Sequence, residues 1–216
     1  MQPYLVMLYL GIVAGVISGT IWAGLHGLNA ARSNLAMLLL VLPALLGARL
    51  LFVVLHWQVY RSHTERILRR TEGGAALYGG LVSAFLFSFP VLSLLDLPVW
   101  AFWDAVTVCL LVGMIFTKVG CLWNCCCSGK IRFPLQLVEA VMAALILVAG
   151  IVTSRTLPFE GAVFLSATAV YSLARFALEP LRLTIDRIGG LSVNRAVSAG
   201  LVLLSTSGFL LIWFSH

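Results

Sequence analysis

The stretch LAMLLLVLPALLGARLLFVVLHW, Leu35 to Trp57, decides the fold. It runs apolar for longer than a soluble core helix needs, with one interior charge, Arg49, and one proline, Pro43. A run of about 20 apolar residues is what an α-helix needs to cross the hydrocarbon core of a bilayer. The rest of the chain repeats the pattern. Apolar runs of spanning length stand at about Tyr4 to Leu25, Ala75 to Leu95, Val99 to Gly120, Pro134 to Thr153, Gly161 to Leu178 and Val197 to Phe214.

Composition agrees. Of the 216 residues 61% are hydrophobic and only 10% charged, more apolar surface than a water-soluble globule can hide. In lipid a backbone satisfies its hydrogen bonds only as helices or as a closed barrel. These runs are too long and continuous for barrel strands of about ten alternating residues. The sequence therefore predicts an all-α integral membrane protein of about seven transmembrane helices in one bundle, with residues 1–216 forming a single transmembrane domain. The first run lacks a basic flank and is followed by further spans, so it is expected to remain as a helix and not act as a signal peptide. No repeat of 20 to 50 residues, low-complexity tract or targeting motif stands out.

Charges are scarce, which makes each informative. Arg49 lies within the second run, and Lys118, Glu139, Arg175 and Glu179 lie within or at the ends of others. Even the mildest scales charge about 2.5 kcal/mol for an ionisable group at mid-membrane, so such groups face a protein interior, a wet cavity or a partner. The competing reading is that a long Lys or Arg side chain snorkels to the interface, which suits Lys118 and Arg175 better than Arg49. Seven spans put Arg61, Arg66, Arg69, Arg70, Lys118, Lys130, Arg132, Arg182, Arg187 and Arg195 on one side, against Arg32 and Arg155 on the other. By the positive-inside rule the first set faces the cytoplasm, unless those cations bind an anionic lipid themselves. The net charge of +6 fits either origin.

Several segments, in order, resemble the prolipoprotein diacylglyceryl transferases, enzymes that move a diacylglyceryl group from phosphatidylglycerol to a lipoprotein cysteine. They are GARLLFVVLHW (Gly47 to Trp57), EGGAALYGGLV (Glu72 to Val82), KVGCLWNCCCSGK (Lys118 to Lys130) with FPLQLVEA (Phe133 to Ala140), and YSLARFALEPLR (Tyr171 to Arg182). GLSVNRAVS, Gly190 to Ser198, is similar to the start of the family's last helix. The resemblance implies phosphatidylglycerol or a related anionic phospholipid as donor, a lipoprotein precursor or another acceptor as second substrate, and residence in a bacterial inner membrane. It implies neither cofactor nor metal, and nothing points to nucleic acid.

Carried over position by position, the resemblance assigns catalytic work to Tyr78, Lys118 and Arg182. It assigns substrate binding to Arg49, Gly74, Gly79, Gly80, Gly120, Cys121, Asn124, Gly129, Gln136, Glu139, Arg175 and Glu179. The sequence departs from the family at marked places. Where the family has His-Gly-Gly, with a histidine thought to handle the thiol proton, this chain has Tyr78. A phenol is a poorer base than an imidazole at neutral pH and a better hydrogen-bond donor. The signature Gly-Arg-x-Gly-Asn-Phe-x-Asn-Gly-Glu reads from Thr117 to Cys126, with Lys118 for arginine and Cys121 for the first asparagine. Lysine keeps the charge and loses the bidentate fork that suits phosphate.

The chemistry asks for such a set. Displacing a phosphate-linked leaving group needs cations on the departing phosphate and a deprotonated nucleophile. Arg182, Arg49 and Lys118 are expected to hold the phosphate, and Glu139 and Glu179 to orient them. Gly73, Gly74, Gly79 and Gly80 either let backbone approach the headgroup or let helices pack closely. Cys121 with Cys125 to Cys127 lacks the paired spacing of a zinc site, and neighbouring cysteines rarely close a disulfide. That leaves a reactive thiol favoured by nearby lysines, a packing role, or the wall of a headgroup pocket. Two further functions stay open: a non-catalytic lipid- or lipoprotein-binding relative, and a thiol-based redox or metal-handling membrane protein.

Overall fold

The structure is a computed structural model that describes residues 3–61, 77–123, 134–157, 159–182, 187–188 and 191–215. The described residues form α1 (Pro3–Leu25), α2 (Ala30–Leu55), the short α3 (Trp57–Tyr60), α4 (Leu77–Leu94), α5 (Val99–Trp123), α6 (Leu135–Thr153), α7 (Ala162–Leu178) and α8 (Val193–Ser215). A 3₁₀ turn, Glu179–Leu181, extends α7, and a two-residue antiparallel pair, Arg187–Ile188 with Leu191–Ser192, precedes α8. Six helices are long and apolar enough to cross a membrane, and Tyr78–Leu94 is a shorter apolar helix. This is the all-α integral membrane fold the sequence predicts. Most helix limits lie within a few residues of the expected ones. Two helices begin earlier: α2 at Ala30, where the Asn29 side chain accepts the Arg32 N–H (3.1 Å), and α8 at Val193. A polar residue that caps a helix end is invisible to a hydropathy window.

The described residues divide into two compact units, residues 35–99 and residues 1–34 with 100–216. In the smaller unit α2 and α4 meet through glycines. A methyl added to Gly47 would lie 2.6 Å from the Gly79 carbonyl oxygen, and one on Gly80 would lie 3.0 Å from that of Ala44. Without a hydrophobic drive between helices in lipid, such backbone proximity is where van der Waals attraction is gained.

In the larger unit α1 runs antiparallel to α5. Gly15 of α1 lies against the backbone of Cys109, where a Cβ would come within 2.5 Å of its carbonyl oxygen, and Gly120 meets Met7 and Tyr4. A buried seam of Leu111, Ala143, Ile146 and Ala167, flanked by Met114, Ile115, Leu147 and Tyr171, joins α5, α6 and α7. α7 packs against α6 and α8. The start of α7 is tied down by a neighbour. Gly161, with φ of 88°, precedes it, and the Asp104 carboxylate of α5 accepts the N–H groups of Gly161 and Phe164, each at 2.7 Å. One side chain thus satisfies two of the donors that a helix start leaves open.

Candidate functional site

Three helices carry the apolar seam, and on each the next turn along the same face carries charge. Lys118 follows Met114 and Ile115 on α5, Arg175 follows Tyr171 on α7, and Glu139 precedes Ala143 on α6. Residues three or four apart share a helix face, so the seam that packs these helices also aims the three polar side chains at one another.

Glu139 is the centre. Its Oε2 pairs with Lys118 Nζ, and its Oε1 accepts from Arg175 Nη1 (2.7 Å) and Arg182 Nη2 (2.5 Å). Only 3% of its side chain is exposed. Glu179, in the 3₁₀ turn, is 1% exposed and forms a second tier, with Oε2 3.6 Å from Arg175 Nη2 and 4.0 Å from Arg182 Nε. Its Oε1 accepts from Asn194 Nδ2 (3.0 Å) and Ser192 Oγ (3.3 Å) at the start of α8.

The cluster thus joins three cations to two carboxylates among the described residues. A desolvated ion cluster persists only where each charge is paired or a further ion completes it. The cations are more exposed than the carboxylates, Lys118 at 17% and Arg182 at 14%, so the cationic side is the accessible one. Such an arrangement can hold an anionic group, and the two guanidinium planes suit a phosphate in particular.

The structure therefore brings together Lys118, Glu139, Arg175, Glu179 and Arg182 of the residues singled out in the sequence. Gln136 is buried one turn before Glu139 on α6, and Cys121 is buried one turn beyond Lys118 on α5. Gly120 serves the contact between α1 and α5, and Gly79 and Gly80 serve that between α2 and α4, the packing use weighed for such glycines. In the smaller unit Tyr78 is buried at the start of α4, and the Arg49 guanidinium lies 5.8 Å from the Phe52 ring centre and 5.6 Å from that of Tyr60. Gly74, Asn124 and Gly129, like Gly73 and Cys125 to Cys127, lie outside the described residues. Sequence reasoning missed Ser192 and Asn194 as partners of Glu179. They sit within the GLSVNRAVS segment, and only the fold brings that segment to the turn after α7.

Fold and cluster together define a polytopic helical membrane protein with a cationic polar site at one end of α5, α6 and α7. A family model described as prolipoprotein diacylglyceryl transferase matches residues 1–213, and the chain belongs to that family. Its relatives include the phosphatidylglycerol--prolipoprotein diacylglyceryl transferase of Tropheryma whipplei (strain TW08/27), 27% identical over 205 residues that cover 82% of this chain and 75% of the relative. The protein of the same description from Symbiobacterium thermophilum is 28% identical, covering 94% of this chain and 86% of the relative. That from Clostridium kluyveri (strain ATCC 8527) is 26% identical, covering 95% and 90%.

Proposed function

We propose that the protein transfers the diacylglyceryl group of phosphatidylglycerol, or a closely related anionic phospholipid, to a thiol acceptor such as the cysteine of a lipoprotein precursor. The observation that carries this reading is the convergence of Lys118, Arg175 and Arg182 on the buried Glu139. The bond between the glycerol carbon and the phosphate oxygen breaks, a carbon–sulfur bond forms, and glycerol phosphate departs with the negative charge. Arg182 and Lys118 stabilise that departing charge, and Arg175 helps to bind it. Glu139 and Glu179 hold the cations in place before the lipid arrives, so little reorganisation is needed as charge develops. The family resemblance also assigns Arg49 to phosphate binding and Tyr78 to the thiol, as a hydrogen-bond donor or as the base that takes its proton. Gln136, buried one turn before Glu139 on α6, is a further substrate contact beside the cluster, and the chain serves as a single transmembrane domain in a bacterial inner membrane.

The test is a mass-spectrometric assay of the purified protein with phosphatidylglycerol and a lipobox-cysteine peptide. The expected result is a diacylglyceryl mass gain on the peptide that Arg182→Ala lacks. A folded protein that retains phosphatidylglycerol and never modifies the peptide would defeat the reading, and Tyr78 in place of histidine would then mark a non-catalytic lipid-binding relative. The acceptor's compartment follows from which way the basic side faces. A cysteine introduced at Arg61 and shielded from an impermeant reagent in intact cells points to a cytosolic acceptor. Labelling from outside points to an exported one.

A further inference from the structure

The Glu179 carboxylate is divided in its loyalties. Its Oε2 faces the two arginines at 3.6 and 4.0 Å, ion-pair distances, while its Oε1 accepts two hydrogen bonds from the start of α8. Ser192 stands just before α8 and does two things: its Oγ accepts the Arg195 N–H (3.4 Å), capping the helix, and donates to Glu179 Oε1. Asn194 Nδ2 supplies the shorter of the two bonds to that oxygen. A carboxylate held at one oxygen by two donors loses rotation about its last bond, so the direction of the other oxygen is set.

From this geometry we infer that Asn194, with Ser192, is a positioning residue: it aims Glu179 at Arg175 and Arg182 and thereby sets the grip of the cation cluster on an anionic headgroup. The inference rests on the proposed headgroup-binding reading and adds α8 to the parts that determine it. Neither residue touches the cations; both act through Glu179. The consequence is that the first turn of α8 tunes lipid affinity and transfer although its charged neighbour Arg195 is directed elsewhere, over the Phe176 ring at 4.6 Å.

Asn194→Asp separates this role from plain support of the helix. An acidic residue in a first helical turn complements the helix dipole, so a merely structural role predicts that the aspartate is tolerated or stabilising. A positioning role predicts the reverse, because the new carboxylate cannot donate and sets a like charge beside Glu179. In the peptide assay, Asn194→Ala is expected to lower kcat/KM by about tenfold to a hundredfold, the weight of one hydrogen bond to a charged group. Asn194→Asp should fall lower still while its Tm stays at or above that of Asn194→Ala. Adding Glu179→Gln to Asn194→Asp exchanges donor and acceptor and is expected to recover part of the loss, a non-additivity that independent sites do not show.

Wild-type kcat/KM in Asn194→Asp, or strict additivity in the pair, would overturn the inference. Should the wild type fail to modify the peptide, the same variants are compared for phosphatidylglycerol retained in native mass spectra. Retention falling from wild type through Ala to Asp keeps the positioning role while the transferase reading fails. Equal retention, or none in the wild type, overturns it.

Discussion

Two carboxylates of the larger unit, Asp104 on α5 and Glu139 on α6, sit at opposite ends of the same helices and are spent on different things. Asp104 accepts two backbone N–H groups, those of Gly161 and Phe164, donors fixed in space by the start of α7. Glu139 accepts from three flexible cationic side chains, Lys118, Arg175 and Arg182. A carboxylate bonded to backbone is finished, since its partners have nowhere else to go. One bonded to long side chains is an organiser, because the same cations can face an arriving anion while remaining paired behind. The difference between scaffold and site is thus a difference in the partners' freedom.

Removing Glu139 gives the largest effect. Glu139→Ala leaves three cations facing each other in a poorly hydrated place, and breaking a buried ion pair from one side costs on the order of 3–5 kcal/mol. Transfer to the lipobox peptide is expected to fall by more than about a hundredfold, the scale of losing one preorganised transition-state contact, with a clear drop in Tm. Glu139→Gln should recover much of the Tm and little of the turnover, since an amide fills the space and cannot balance the charge. A glutamine variant with near-normal turnover would show that Glu139 packs the helices as Asp104 does and organises nothing.

Asp104→Ala tests the other half. It strips the acceptor from two N–H groups at the start of α7, each costing about 1–3 kcal/mol when left buried and unmet. The expected outcome is a lower Tm with kcat and KM of the folded fraction unchanged. A changed KM for phosphatidylglycerol would mean that the two ends of α5 are coupled and that the contrast between them is too simple.

Lys118→Arg has a smaller effect and sharpens the account of the site. The substitution restores the residue of the family signature, and the guanidinium can pair with Glu139 and still offer a fork to phosphate. Turnover is expected to stay level or rise by a few fold, most visibly as a lower KM for the lipid. A loss of about tenfold would show that the pocket has been rebuilt around the compact ammonium.

Legibility in the sequence followed the physics of each signal. Hydrophobic length is a local property, so the helices could be placed from the chain alone; the Asn29 cap that starts α2 early depends on single polar contacts and could not. Lys118, Glu139, Arg175, Glu179 and Arg182 could be picked out because an ion inside an apolar run is improbable without a partner. Which of them pair was hidden, since the separation between Glu139 and Arg182 is bridged by the packing of α6 on α7, not by any spacing in the chain. Asp104 was not picked out from the sequence, and Asn194 only as part of the GLSVNRAVS segment, with no role of its own. The one lies near a span end where charges are ordinary, and the other became visible only as a donor to Glu179.

Cys121→Ser is expected to do least, and its smallness is informative. Cys121 lies one turn beyond Lys118 and is buried beside Gly120, where α5 meets Tyr4 and Met7 of α1. It is a small residue at this helix contact, and the nearby cationic charge of Lys118 is engaged by Glu139. A serine there can turn its hydroxyl to the carbonyl four residues back, as Thr117 does to Gly113 (2.8 Å) and Thr107 to Trp103 (2.8 Å). Turnover within about threefold of wild type is therefore expected, with Tm moved by no more than an ordinary conservative change in a buried position. Loss of transfer in Cys121→Ser, together with sensitivity of the wild type to thiol alkylation, would shift the chemistry from the cation cluster to sulfur. It would also make the basic end of these helices support for a thiol site, with Glu139 as much a scaffold residue as Asp104.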